Sequence, residues 1–407
     1  VTPEQRVVDG DRIFTRPFLI LAASGLLFYL SMAATQPVLP RFVKDELGGG
    51  DVTVGVVIGS MAISAICIRP FLGWIGDGKG RRLLIAFGAA STLSGLLVHL
   101  VAVNVPVLVA GRLLVGAGNA AFLVGLTTMA MDLVGPTRRG QAASYVLLAV
   151  HLGMGTGPFI GETALDLSGF DAVWIAALLG TTLCLAVTSL LPGRPATPPG
   201  AAAPRASFQL MHPAALGPGL VMASGLLGGI AFNTFLPLYG KDLGLDGVAP
   251  VLLVGSGTMV LIRAVGGRLP DRLGFVRGGT TAVGLMGAGV MIAALWGSVP
   301  GLYAGAVVMF SGSALLYPTL AAAADVGVPD RERSAVMASF TMFIDLSTAL
   351  GGPLFGLIAA GTSYRGSFFV ASCLAAAGLV LLHTRLAGPY RARLAAAGAA
   401  TTSAAAS

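Results

Sequence analysis

The sequence predicts an all-α integral membrane protein of twelve transmembrane helices in two pseudo-symmetric six-helix bundles. Three observations carry that prediction: composition, the placement of charge, and an internal repeat. Of 407 residues, 55% are hydrophobic and only 11% charged, with a mean hydropathy of +0.85. A soluble domain carries about a quarter of its residues charged. A chain this apolar needs a bilayer as its solvent.

Twelve apolar segments are bounded by charges, Gly or Pro: 17–41, 53–75, 83–103, 106–130, 141–165 and 172–192, then 213–240, 248–268, 279–299, 301–324, 335–361 and 366–385. Each approaches or exceeds the ~20 residues that cross a hydrocarbon core as a helix. Lipid offers no hydrogen bonds to the backbone, so helices are the assignment that satisfies every peptide group. The 58 glycines suit close helix–helix approach. The Pro/Ala-rich stretch 193–212 reads as a cytoplasmic linker between an N-terminal bundle, 1–192, and a C-terminal one, 213–386. Residues 387–407, rich in Ala, Thr and Ser, read as a disordered cytoplasmic tail.

Most of the 25 Lys and Arg residues then fall on the side of the N-terminus. Arg41, Lys44, Lys241 and Arg365 lie opposite, and Arg69, Arg112 and Arg263 lie within helices. This is the positive-inside asymmetry, and it places both termini in the cytoplasm of a multi-pass inner-membrane protein. The net charge of +7 therefore records topology and gives no reason to expect nucleic acid. Cys67, Cys184 and Cys373 lie inside apolar runs, without disulfide or metal spacing. The first apolar run lacks a small-residue cleavage site and reads as a spanning helix.

The repeat is seen first in a charged turn, Gly73-Trp-Ile-Gly-Asp77-Gly-Lys-Gly80-Arg81-Arg82, with a degenerate copy at Gly267-Arg-Leu-Pro-Asp271-Arg-Leu-Gly274. Arg69 and Arg263 stand four residues before the first glycine of each. Pro40 with Lys44-Asp45 is echoed by Pro237 with Lys241-Asp242, and Asp132 with Pro136 and Arg138 by Asp325 with Pro329 and Arg331. Gly157-Pro158-x-x-Gly161 returns as Gly352-Pro353-x-x-Gly356. Four matches in one order indicate duplication, an architecture of transporters whose site lies at the midplane between repeats.

These residues resemble the major facilitator superfamily over essentially the whole chain. Gly73, Asp77, Gly80, Arg81 and Arg82 fit its G-x-x-x-D-x-x-G-R-[KR] signature. Arg112-Leu-Leu-Val-Gly116 looks like its R-x-x-x-G motif of the fourth helix, with Val115 where Gln is common. Gly153-x-x-x-Gly157-Pro158-x-x-Gly161 is similar to the fifth-helix motif of drug/proton antiporters, with Glu162 where a second glycine is usual. The resemblance implies a cytoplasmic gate in which Asp77, Arg81 and Asp132 latch one conformation. Asp271 and Asp325 would form a weaker counterpart, because the second copy lacks the Arg pair. It also implies that the fifth-helix glycines let that helix bend and pack tightly, sealing the outer route in the inward-facing state.

Ionisable groups in hydrocarbon cost at least ~2.5–3.5 kcal/mol each and are functional candidates by default. Asp345 lies about 11 residues, ~16 Å, into the eleventh segment, near the midplane, where desolvation favours proton loading and release. Arg112, matching the family motif, and His151, whose ordinary pKa suits proton exchange, join Asp345 and Glu162 as proton-coupling candidates. Similar depth makes an Arg112–Glu162 ion pair possible. Gln36, Asn119, Asn233 and Tyr317, with Arg69 and Arg263, are candidates to line a substrate cavity. Each polar group could equally tie one helix to another, and the two arginines could reach to headgroups.

The chain has no phosphate-binding Gly-Lys-Ser/Thr loop, H-E-x-x-H or Gly-x-Ser-x-Gly. No enzymatic activity, cofactor or metal is therefore expected. The resulting expectation is a monomeric, proton-coupled antiporter that exports a small amphiphilic drug-like or natural-product molecule by alternating access. The alternatives are a dedicated exporter of a zwitterionic or anionic metabolite such as a metallophore, and a proton-coupled uptake symporter. Its partners are the small-molecule substrate, protons and the lipid bilayer.

Overall fold

The computed structural model describes residues 13–135, 138–193, 211–265, 269–326, 328, 332–388 and 390, and contains no strand among them. The helices are α1 (Arg16–Thr35), α2 (Leu39–Asp45), α3 (Asp51–Lys79), α4 (Arg81–Leu100), α5 (Val105–Asp132) and α6 (Arg139–Ser189). They continue with α7 (Pro213–Asp242), α8 (Ala249–Val265), α9 (Leu269–Leu295), α10 (Val299–Asp325), α11 (Arg333–Gly361) and α12 (Tyr364–Leu381), the last prolonged by a π-helical turn, Leu382–Leu386. Most of the expected linker 193–212 and tail 387–407 lies outside the described residues.

Among the described residues, ten helical spans are long and apolar enough to cross a membrane, and α8 is a shorter apolar helix. One span, α6, has 51 residues and would be about 76 Å long if straight, against a hydrocarbon core of about 30 Å. Its backbone leaves the helix at Ser168 (φ −152°) and Gly169 (φ 78°), a left-handed residue that only glycine adopts without strain. The fifth and sixth expected segments are therefore the two arms of α6. The first expected segment is split differently, into α1 and α2, around Gln36, Pro37 and Val38.

Helix starts follow local chemistry. Asn104 accepts a hydrogen bond from the Val107 amide at 3.0 Å and caps α5, and Ser298 accepts from the Gly301 amide at 3.4 Å and caps α10; each cap is followed by an early helical proline. Such caps contribute about 1 kcal/mol each. Between α3 and α4 stands Gly80 (φ 93°), and Gly274 (φ 64°), its counterpart in the degenerate turn, breaks α9 in the same way. The repeat read from the charged turn is thus written into the backbone.

The chain divides into two compact units. The first contains residues 1–203 and 247–256, and the second contains 204–246 and 257–407. In the first unit α1 packs along α6, and α5 packs on α3 and α4. The stacked Phe28–Phe122 pair, 3.8 Å between centroids, lies in the core with Leu21, Leu126 and Val146. In the second unit α9 packs on α10 and α12, and α7 on α11 and α12, around Met286, Leu316, Phe340 and Phe343.

Lipid tails are as apolar as these side chains, so close backbone packing rather than hydrophobic transfer holds membrane helices together. Glycine seams supply it. A Cβ on Gly95 would come within 2.6 Å of the Gly111 carbonyl oxygen, and one on Gly118 within 2.6 Å of the Gly88 carbonyl oxygen, so α4 and α5 touch backbone to backbone. The seam recurs between α9 and α10, where a Cβ on Gly289 would meet the Gly305 carbonyl oxygen at 2.6 Å and one on Gly312 would meet the Ala282 carbonyl oxygen.

Candidate functional site

The fifth-helix motif forms the tightest seam of the first unit. Gly153, Gly157 and Gly161 are spaced by four residues and lie on one face of α6. A Cβ at Gly153 would stand 2.7 Å from the Leu26 carbonyl oxygen, one at Gly157 would stand 2.5 Å from that of Leu30, and one at Gly161 would overlap that of Ala34. Pro158 is buried inside the same helix. The partner of this seam is α1.

A second face of α6 meets the start of α8. Glu162, only 8% exposed, accepts hydrogen bonds on both carboxylate oxygens: from the Val248 amide at 2.6 Å and the Ala249 amide at 2.8 Å. Two turns earlier, a Cβ on Gly155 would come within 2.9 Å of the Ser256 Cβ. The two contacts run in opposite senses along α6 and α8, so the helices are antiparallel here. Both lie within the first unit.

Arg112 is buried in α5. Its Nε donates to the Val57 carbonyl oxygen at 3.3 Å, and one terminal nitrogen approaches the Met61 sulfur at 3.3 Å. The possible Arg112–Glu162 ion pair is therefore not formed, because Glu162 is turned to the α8 amides and Arg112 to α3. The charge of Arg112 does reach His99, a buried residue whose ring packs 5.3 Å from that of Trp174.

The structure brings a further pair of polar groups together in the first unit, within the field of a third. The Tyr29 hydroxyl donates to Asn119 Oδ1 at 3.0 Å, and the Arg69 charge acts on Tyr29. Asn119 and Arg69 were expected from sequence; Tyr29 was missed, since one Tyr in an apolar run reads as packing. Gln36 is exposed at the end of α1, its backbone N–H donating to the Ala33 carbonyl oxygen at 3.2 Å. His151 Nδ1 donates to the Leu147 carbonyl oxygen of its own helix at 2.5 Å.

In the second unit Asp345 is buried on α11, and Asn233 is exposed on α7, bonded to the Gly229 carbonyl oxygen of its own helix at 2.8 Å. Tyr317 is exposed on α10, its ring 5.8 Å from Phe340, and Arg263 is half-buried near the end of α8. Of the gate residues, Arg81 Nε stands 3.5 Å from Asp132 Oδ2. Gly73 and Asp77 lie on α3, Asp271 on α9 and Asp325 at the end of α10, with side chains outside the described residues. Arg82 opens α4 beside Arg81.

A helical membrane protein with a repeated half, glycine seams and charged groups sunk in its spans belongs to the class of multi-pass transporters. The family model of the Major Facilitator Superfamily matches residues 21–344 and 251–406, and the chain belongs to that family. It is 28% identical over 378 residues to an uncharacterized MFS-type transporter of Salmonella typhimurium, covering 90% of this chain and 95% of the relative. The uncharacterized MFS-type transporter YhhS of Escherichia coli is also 28% identical, over 371 residues and 87% of each chain. A crystal structure of a peptide transporter POT in complex with sulfate superposes with a TM-score of 0.76 at 14% identity, over 96% of this chain and 99% of that one. That of the human organic anion transporter MFSD10 gives 0.67 at 18%, over 94% and 100%. At such identities the two structures speak for the fold. The protein is a membrane transporter of the major facilitator type, moving a small molecule.

Proposed function

We propose that the chain is a proton-coupled antiporter that exports a small amphiphilic molecule by alternating access across the inner membrane, as a monomer. The observation that carries this reading is the antiporter-type motif folded as a seam, with Gly153, Gly157 and Gly161 pressed onto the α1 backbone. A seam without side chains supports a close seal of the outer route, as an exporter requires against back-leak. Asp345, buried on α11, is the preferred proton carrier, and Arg112, His151 and Glu162 are the other proton-coupling candidates placed in spans. Protonation of Asp345 then biases the two states through its differential affinity for protons. The Arg81–Asp132 pair acts as the cytoplasmic latch, with Asp77 beside it in the chain's charged turn.

A second reading is export of an anionic or zwitterionic metabolite. It is supported by Arg69 acting beside the Tyr29–Asn119 pair, a donor-rich cluster suited to a carboxylate or phosphate. Both readings are tested in proteoliposomes holding a pH-sensitive dye, with amphiphilic cations, zwitterions and anions added in turn. Antiport moves protons against the added compound, and Asp345→Asn abolishes that movement. Proton flow in the same direction as the compound overturns export in favour of symport. The class of compound that produces the signal decides between the two substrate readings.

A further inference from the structure

Glu162 stands where the fifth-helix motif usually carries its second glycine, and what it does there is visible in its partners. Its two oxygens take the Val248 and Ala249 amides at the first turn of α8, at 2.6 and 2.8 Å. These amides are among the four that a helix start leaves without intrahelical partners. A carboxylate suits them doubly, by hydrogen bonding and by the positive end of the helix dipole. Room for it comes from Gly247, since a Cβ there would overlap the carboxylate. Gly155 sets the same register two turns along α6, against Ser256.

We infer that Glu162 is a releasable clasp, holding residues 247–256 to α6 through the α8 amides and setting how often that segment detaches. Glu162 is thus a positioning residue, acting through backbone rather than through substrate. The inference rests on the protein being a transporter that changes conformation, and on neither export nor proton coupling.

The clasp is charge-assisted, so a proton on Glu162 weakens it by converting one acceptor oxygen into a donor. The other charged groups acting on Glu162 are Arg41 of α2 and Asp166, one turn further along α6. Residues 247–256 contribute no titratable side chain.

Hydrogen–deuterium exchange of the full-length protein in lipid nanodiscs tests this without a substrate. In the wild type, the amides of 247–249 should exchange faster than those of the α4–α5 glycine seam. After division by the intrinsic rate at each pH, their exchange should accelerate as the pH falls. Glu162→Ala should raise it about tenfold, Glu162→Gln by less and with no remaining pH dependence. Gly247→Ala, which keeps the carboxylate but pushes it off the amides, should match Glu162→Ala. Exchange of 247–249 no faster than the α4–α5 seam overturns the clasp, because the segment then never detaches on its own. So does exchange unchanged in both Glu162→Ala and Gly247→Ala. If either variant does not fold, the wild-type comparison and Glu162→Gln still decide. A failure of proton antiport in proteoliposomes leaves these exchange rates untouched.

Discussion

The two halves of the chain repeat one another in sequence, and they differ where the fifth-helix motif closes. In α6 the motif closes on Glu162, 8% exposed and bound to two amides; at the matching position of α11 stands Leu357, 60% exposed. In α6, Gly153, Gly157 and Gly161 face backbone atoms of α1. In α11, Gly351, one residue before the matching Gly352, faces the side chains of Leu227 and Ile230. Elsewhere the copies agree closely: Asn104 and Ser298 cap α5 and α10 alike, and the α4–α5 glycine seam returns between α9 and α10. What holds each half together has been kept twice. The carboxylate that takes two backbone amides stands in the first half.

The comparison can be broken by substitution. The largest effect is expected at Phe275, the counterpart of Arg81, which is buried with its ring 4.5 Å from Tyr390. Phe275→Ala should cost about 3 kcal/mol, read as thermal unfolding in nanodiscs. An unchanged melting temperature would show that the Phe275–Tyr390 contact does not hold the second half where Arg81 meets Asp132 in the first. Next comes Gly161→Ala, whose new Cβ strikes the Ala34 backbone carbonyl. About 2–3 kcal/mol should be lost there, with a falling yield of monodisperse protein. Gly351→Ala meets movable side chains and should cost under about 1 kcal/mol. An equal loss at Gly351 would show that a Cβ pressed on side chains costs as much here as one pressed on backbone.

Smaller effects test the agreement. Asn104→Ala and Ser298→Ala should each cost about 1 kcal/mol, and markedly unequal losses would break the equivalence of the caps. Arg81→Ala should be smallest, about 0–1 kcal/mol, since the pair with Asp132 is partly exposed. Its influence should appear in cysteine accessibility around the joint of α3 and α4 rather than in the melting temperature. A large stability loss would make Arg81 a structural residue instead of a latch.

The fold was legible because lipid leaves the backbone few choices, and composition alone announces lipid. The motif glycines were legible because their spacing of four is a helical face. The partner of Glu162 was not, since backbone amides 86 residues away carry no side-chain signal. The Arg112–Glu162 pair was expected from shared depth, but depth does not fix the rotation of a helix about its own axis. That rotation turns Arg112 to the Val57 carbonyl and the Met61 sulfur, neither of which advertises itself as a partner for a cation. Tyr29 joined Asn119 for the same reason: contact across helices is set by rotation.

One residue, Gly80, lies between the end of α3 and the start of α4. A joint one residue long has no slack to absorb motion. Any swing of α3 must reach α4 either whole, as rigid rotation, or as a change in the two dihedrals of Gly80. Glycine alone allows the second route over a wide range. The charged turn is therefore the elbow of a two-bar linkage, and a bulkier residue at its pivot would stiffen the stroke before it weakened the fold.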